Sequence, residues 1–249
     1  MYVECAARRL CAGSMTGAKQ SVYTNRRASS SAVMCAGSMI STSKGLYTNM
    51  RIITGSSKGT PLQTLEGEAT RPTSERAKEA IFSALHFDMD GRNVLDLFAG
   101  SGQMGLEALS RGAAGCMFID AADDAMAVVK ANAKRAGLFE KSRFLVSDYR
   151  NFIRKAGSRG DRYSLIILDP PYAMHAIGDC LERILKAGIA LPGCLFVCEA
   201  GEEDMTADKP GLCDRFTELK RARYGAAFVR ILQLCDDGKA AALPHPGEE

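Results

Sequence analysis

The chain has 249 residues, 46% of them hydrophobic and 24% charged, with a formal net charge of +3 at neutral pH. That composition fits an ordinary globular protein of one to two domains and excludes disorder throughout. No stretch approaches the roughly 20 uninterrupted apolar residues of a membrane span, and the start lacks the apolar core of a secretory signal, so a cytoplasmic protein is expected.

Charge is unevenly distributed along the chain. Residues 1–49 hold six basic residues (Arg8, Arg9, Lys19, Arg26, Arg27, Lys44) against Glu4, a net +5, which leaves the other 200 residues at −2. Within this Ser/Gly/Ala-rich leader, Cys11-Ala-Gly-Ser-Met15 with Tyr23-Thr-Asn25 recurs as Cys35-Ala-Gly-Ser-Met39 with Tyr47-Thr-Asn49, offset by 24 residues. One unit repeated once cannot build a solenoid, which needs about three. A transit-like peptide, a basic RNA-binding arm and an upstream extension without structural role are the three readings. The last is preferred, because Met50 opens a well-patterned domain, and the leader is expected to be disordered. Intact mass of the native protein decides, a species starting at Met50 supporting the extension.

From Met50 the predicted elements follow in order. Arg51–Gly55 and Pro61–Leu65 flank a Gly/Ser/Lys turn and predict a small hairpin. Behind a Thr73 or Ser74 cap, Ala77, Ala80, Ile81, Ala84 and Leu85 form a helical stripe to about His86. Residues 50–92 are therefore expected to form a hairpin-and-helix appendage. Strands and helices then alternate: a strand at Val94–Phe98, a helix at Met104–Ser110, a strand at Gly115–Ile119 and a helix at Ala121–Ala136. Further strands are expected at Phe144–Val146, Leu165–Leu168 and Leu195–Cys198, with helices near 149–156 and 176–187. Phe216–Tyr224 and Ala226–Leu234 resemble two antiparallel strands closing one edge, and 238–249 a flexible tail. Continuous apolar runs suit strands buried on both faces. The economical fold class is α/β: a doubly wound, mostly parallel, seven-stranded domain over 93–237, with ligands at the carboxyl ends of the strands.

Gly100-Ser-Gly102-Gln-Met-Gly105 follows the first of these parallel strands and opens a helix, and Asp120 ends the second, 20 residues after Gly100. This matches the dinucleotide fingerprint, with glycines admitting a ligand to the backbone and the acid meeting ribose hydroxyls; a simple tight turn explains it as well. Asp96 points to a different ligand. It would set a negative charge near the pyrophosphate of a dinucleotide, whereas S-adenosylmethionine brings an ammonium, a sulfonium and no phosphate. Asp148, after the third strand, either accepts from an adenine amino group or caps the helix that starts at Tyr149.

The fourth strand runs into Asp169-Pro170-Pro171-Tyr172. A bland strand end is one reading, but the four residues also form a chemical device. An exocyclic amine on a nucleobase is a poor nucleophile because its lone pair is delocalised into the ring. Accepting its two N–H hydrogens, one at the Asp169 carboxylate and one at the Pro170 carbonyl, favours a pyramidal nitrogen and aims the lone pair. The prolines hold that carbonyl in a fixed direction, and Tyr172 can stack on the base. A base within a helix cannot reach such a pocket, which implies flipping or a single-stranded loop.

Together, Asp96-Leu-Phe-Ala-Gly-Ser-Gly102 with Met104-Gly-Leu-Glu-Ala-Leu-Ser-Arg-Gly-Ala113, Asp169-Pro-Pro-Tyr172 and Arg71-Pro-Thr-Ser-Glu-Arg-Ala-Lys-Glu-Ala80 resemble the RsmD family over about 50–235. The resemblance implies a class I methyltransferase that takes S-adenosylmethionine to guanine N2 in 16S ribosomal RNA. It implies that Asp96 and the loop Phe98, Ala99, Gly100, Ser101 and Gly102 hold the methionine part, Asp120 the ribose, Asp148 the adenine, and Asp169, Pro170, Pro171 and Tyr172 the target amine. The family's opening hairpin is usually rich in Arg and Lys, whereas here only Arg51 and Lys58 remain. Arg71, Arg76 and Lys78 form a basic cluster beside the expected site, either a solvated helix face or contacts to RNA phosphate. Lys220, Arg221 and Arg223 read as charges protecting an edge strand.

Nine cysteines are present; Cys116, Cys194, Cys198 and Cys235 sit among apolar neighbours and read as reduced core residues. Neither a second cysteine pair nor a placed histidine completes Cys194 and Cys198, so no metal is expected. The expected partner is 16S ribosomal RNA or the small ribosomal subunit, with no membrane association, and the protein is expected to be a monomer. The alternatives are an adenine-N6 DNA methyltransferase, an NAD-dependent oxidoreductase on the same glycine loop, and an RNA-binding protein without catalysis.

Overall fold

The computed structural model describes residues 50–64, 75–85 and 89–235. The leader at 1–49, Arg71, the Thr73 or Ser74 cap, His86 and the chain from 236 lie outside the described residues. The helices are α1 (Glu75–Ala84), α2 (Gln103–Ser110), α3 (Asp123–Arg135), α4 (Tyr149–Arg159) and α5 (Ile177–Ala187). The strands are β1 (Asn93–Asp96), β2 (Gly115–Asp120), β3 (Ser142–Val146), β4 (Tyr163–Leu168), β5 (Ala190–Ala200), β6 (Phe216–Tyr224) and β7 (Ala227–Leu234).

One seven-stranded sheet has the order β3-β2-β1-β4-β5-β7-β6. The first five strands are parallel, and β7 and β6 close one edge antiparallel. Alternate residues of each central strand feed opposite cores. Leu165 and Ile167 pack with α1, α2 and α3 residues such as Phe82, Leu109 and Val129. Ile166 and Leu168 pack with α4 and α5 residues such as Ile153 and Ile184. Covering both faces explains why the strands read as continuous apolar runs. After β3 the chain returns to the other side of β1, so a crevice opens between the carboxyl ends of β1 and β4, where such sheets bind ligands.

Three local expectations need correction. The opening hairpin is present but shorter than expected: Arg51 bridges Pro61, Ile52 N–H donates to the Thr60 carbonyl at 3.0 Å and Leu62 N–H to the Met50 carbonyl at 2.9 Å. Its next amides are drawn to α2: Ile53 and Thr54 donate to the Glu107 carboxylate at 2.8 and 3.0 Å, and Ser57 donates to Ser110 Oγ at 3.0 Å. Strand β5 starts five residues before Leu195, at Ala190. Pro192 and Gly193 lie where the β4 register shifts, a position that tolerates a residue lacking N–H. Cys235 is only half-buried beyond β7, although Cys116, Cys194 and Cys198 are buried free thiols.

Candidate active site

A cavity of about 1290 Å³ opens over the carboxyl ends of the strands. Asp96, the 98–101 backbone, Asp120, Asp148 and Asp169–Tyr172 all line it. The glycine loop and the Asp-Pro-Pro-Tyr segment, 67 residues apart between Gly102 and Asp169, thus share one chamber. Gly102 itself packs behind the loop.

Two acids hold the loop in place. Gly100 N–H donates to Asp120 Oδ2 at 2.9 Å, and Gly105 N–H donates to Asp96 Oδ2 at 3.0 Å. Ala99 N–H continues the ladder to the Ile119 carbonyl at 2.8 Å. The glycines serve different ends. Gly100, at φ 50°, has open space where a side chain would stand, which leaves its backbone clear for a ligand. At Gly102, with φ 77°, a Cβ would come within 2.9 Å of Val129, and at Gly105 within 2.4 Å of the Phe118 ring. Gly102 thus lets the loop approach α3, and Gly105 lets α2 approach β2.

Asp96 is 2% exposed, and burial pushes its carboxyl up to about 7, with the nearby Asp120 charge adding and the Gly105 hydrogen bond opposing. A buried carboxylate at a cavity wall is stabilised by a cation and opposed by an anion. Asp120 also accepts from Ala122 N–H at 2.9 Å. Asp148 caps α4, its Oδ1 accepting from Arg150 N–H at 2.9 Å and from Asn151 N–H at 3.4 Å, and it remains exposed at the cavity rim. The capping role is therefore real, and a ligand role requires its other oxygen. Phe98 packs against Tyr149 with ring centroids 5.4 Å apart.

Within the tetrapeptide, Asp169 is half-buried, Pro170 buried, and Pro171 and Tyr172 exposed. Pro171 adopts φ −50° and ψ 127°, and its carbonyl accepts from Met174 N–H at 2.8 Å, closing a short 3-10 turn over Tyr172–Met174. Tyr172 Oη donates to Glu199 Oε1 at 3.0 Å.

The basic residues divide. Arg76 is exposed and lines the cavity. Lys78 does not face solvent at all: it is 0% exposed, its ammonium donates to the Arg51 carbonyl at 2.6 Å and lies 3.8 Å from Glu107. Neither phosphate contact nor a solvated face fits it, because α1 turns that side onto α2. Burial lowers its pKa while Glu107 opposes. Arg51 is exposed but pairs with Glu75 at 3.2 Å, and Lys58 is exposed on the opening turn, outside the cavity lining. Arg71 lies outside the described residues. Lys220 is more than an edge charge, since it donates to the Ala80 carbonyl at 2.9 Å near the end of α1. Arg223, read as an edge charge too, lines the cavity from the end of β6.

Other cavity residues escaped the motif reading. Glu199 is a single acid in an apolar strand with no motif around it. Gln103 is 8% exposed and carries a buried Oε1 without a hydrogen-bond partner among the described residues. It stood inside the glycine motif as a variable position, so only its orphaned acceptor reveals it. No group of His, Cys, Asp and Glu among the described residues could hold a metal ion, and no described helix is long and apolar enough to cross a membrane.

A family model described as conserved hypothetical protein 95 matches residues 50–233. The putative rRNA methyltransferase YlbH of Bacillus subtilis is 42% identical over 186 residues, covering 73% of this chain and 97% of that protein. Ribosomal RNA small subunit methyltransferase D of Haemophilus influenzae is 27% identical over 183 residues, covering 74% and 93%. Among solved structures, the putative methyltransferase yhhF from Escherichia coli superimposes with a TM-score of 0.64 at 24% identity, covering 75% of this chain and 98% of that one. The chain therefore belongs to the RsmD family and has the fold of class I S-adenosylmethionine-dependent methyltransferases.

Proposed function

We propose that the chain transfers the methyl group of S-adenosylmethionine to the N2 amine of a guanine in 16S ribosomal RNA. The observation that carries this reading is the shared chamber: the glycine loop after β1 and Asp169–Tyr172 after β4 line one cavity. The names of the relatives, an rRNA methyltransferase and a small-subunit rRNA methyltransferase, supply the substrate class.

The residues fit the cofactor. Asp96 offers a buried carboxylate that gains from a cation, Gln103 an unsatisfied acceptor, and Gly100 an open backbone face. A pyrophosphate would meet Asp96 as a like charge, which disfavours NAD. When bound, S-adenosylmethionine supplies an electrophilic methyl on a sulfonium. In this reading Asp96 and the 98–102 loop hold its amino-acid part, Asp120 its ribose and Asp148 its adenine. Asp169 and the Pro170 carbonyl accept the two amine hydrogens, which localises the nitrogen lone pair, and Tyr172 stacks on the base. The rate arises from orientation and electrostatic placement, and no metal takes part.

Methyl transfer is measured on purified small subunits, free ribosomal RNA and duplex DNA, with nucleoside analysis of the product. N2-methylguanosine in ribosomal RNA is expected; activity on DNA alone overturns the assignment. Protection against heat by S-adenosylhomocysteine and none by NAD is the companion result, with about 2.7 kcal/mol of stabilisation at a ligand concentration of 100 Kd.

A further inference from the structure

Glu199 is 4% exposed, yet it lines the cavity near the end of β5. The parallel β4–β5 register pairs Leu168 with Cys198. Carried one residue beyond that last pair, the same register would set Asp169 beside Glu199 at the active edge, about 4.8 Å apart along the hydrogen-bonding direction, and both residues line the cavity. Tyr172 ties the two segments together through its hydrogen bond to Glu199 at 3.0 Å. Two residues further on, just beyond β5, a Cβ at Gly201 would come within 2.9 Å of the Tyr172 ring, so the ring packs directly on the chain just past Glu199. Carboxylate, aromatic and Asp169 form one unit.

We propose that Glu199 accepts the N1–H of the target base and makes the site specific for guanine. The edge that carries the guanine N2 amine presents two adjacent donors, N1–H and N2–H. Beside its N6 amine, adenine presents N1 as an acceptor. A carboxylate has only acceptor sites, about four of them, so accepting from Tyr172 does not preclude accepting from a donor on the base as well. Two neighbouring carboxylates match a donor–donor edge: Asp169 takes one N2 hydrogen and Glu199 takes N1–H. Against adenine, Glu199 would confront a lone pair at close range, and a polar group buried against a mismatched partner discriminates strongly. The inference rests on the guanine-N2 reading and supplies a physical reason for it.

The test uses small subunits reconstituted with 16S RNA that carries either guanine or 2-aminopurine at the methylated position. 2-Aminopurine keeps the N2 amine but has no N1–H. Wild-type protein is expected to favour guanine by about a hundredfold in kcat/KM, the range for an unsatisfied buried group. Glu199→Gln, whose amide can donate to N1, is expected to shrink that preference by at least about tenfold. Tyr172→Phe, which removes only the hydroxyl, is expected to lower both rates and keep the ratio. Stabilisation by S-adenosylhomocysteine checks that each variant is folded. A wild-type protein that methylates both bases equally overturns the proposal without reliance on any variant, and so does Glu199→Gln with an unchanged ratio. Failure of the wild-type protein to make N2-methylguanosine on natural RNA is a separate result, which removes the guanine-N2 reading itself.

Discussion

In the proposed reading, the Asp169 carboxylate binds and polarises the target amine, and the loop residues hold the cofactor. Asp169→Ala is expected to lower single-turnover methyl transfer by at least about a hundredfold while S-adenosylhomocysteine affinity, read by calorimetry, stays unchanged. Asp96 makes the complementary case. Its carboxyl, raised by burial to about 7, stays protonated in the folded protein at pH values where the unfolded chain ionises. The folded state then binds more protons, so this group's contribution to stability is greatest at low pH and is lost as pH climbs toward about 7. A cationic ligand group needs the ionised form. Affinity for S-adenosylhomocysteine is therefore expected to rise between about pH 6 and pH 8, with proton release visible in buffers of different ionisation enthalpy. A flat affinity across that range contradicts the assignment of Asp96 to the cofactor's ammonium.

Among the elements, α2 does most to connect the site with the rest of the fold. Its start carries the glycine loop, and its later turns carry Glu107, which is 0% exposed and accepts from Ile53, Thr54 and Arg111 while Lys78 lies 3.8 Å away. Glu107→Ala leaves two amides without their acceptor and two cations without their counter-charge inside the protein. It is expected to cost about 3–5 kcal/mol in denaturant unfolding, as for other broken buried pairs. Helix α1 shows how a charge pattern misleads. Arg76 and Lys78 are two residues apart, so they point to different sides of the helix, one to the cavity and one into the Glu107 network. Arg76→Ala is expected to weaken RNA binding and reduce its salt slope by about one unit, while a folded Lys78→Met leaves the slope unchanged. Equal slopes for the two variants contradict this division.

For the molecule as a whole, the order of its strands converts four separated acids into one chamber. Asp96 and Asp120 end β1 and β2, Asp148 and Asp169 follow β3 and β4, and the reversal of strand order after β3 gathers them around the crevice beside β1. Much of this was legible in the chain alone. Apolar runs marked the buried strands, glycines marked the turn after β1, and Asp169-Pro-Pro-Tyr172 is specific because two prolines and an aromatic impose local geometry wherever they fall. Such signals are local: they depend on backbone preference and on hydrophobic period, which a linear chain already contains. Glu199, Arg223 and the burial of Lys78 carry no local signature. Their roles follow from strand register, from the β6–β7 turn reaching the crevice, and from which side of α1 meets α2. Those are contacts between residues far apart in sequence, and only packing of the whole sheet and its helices decides them.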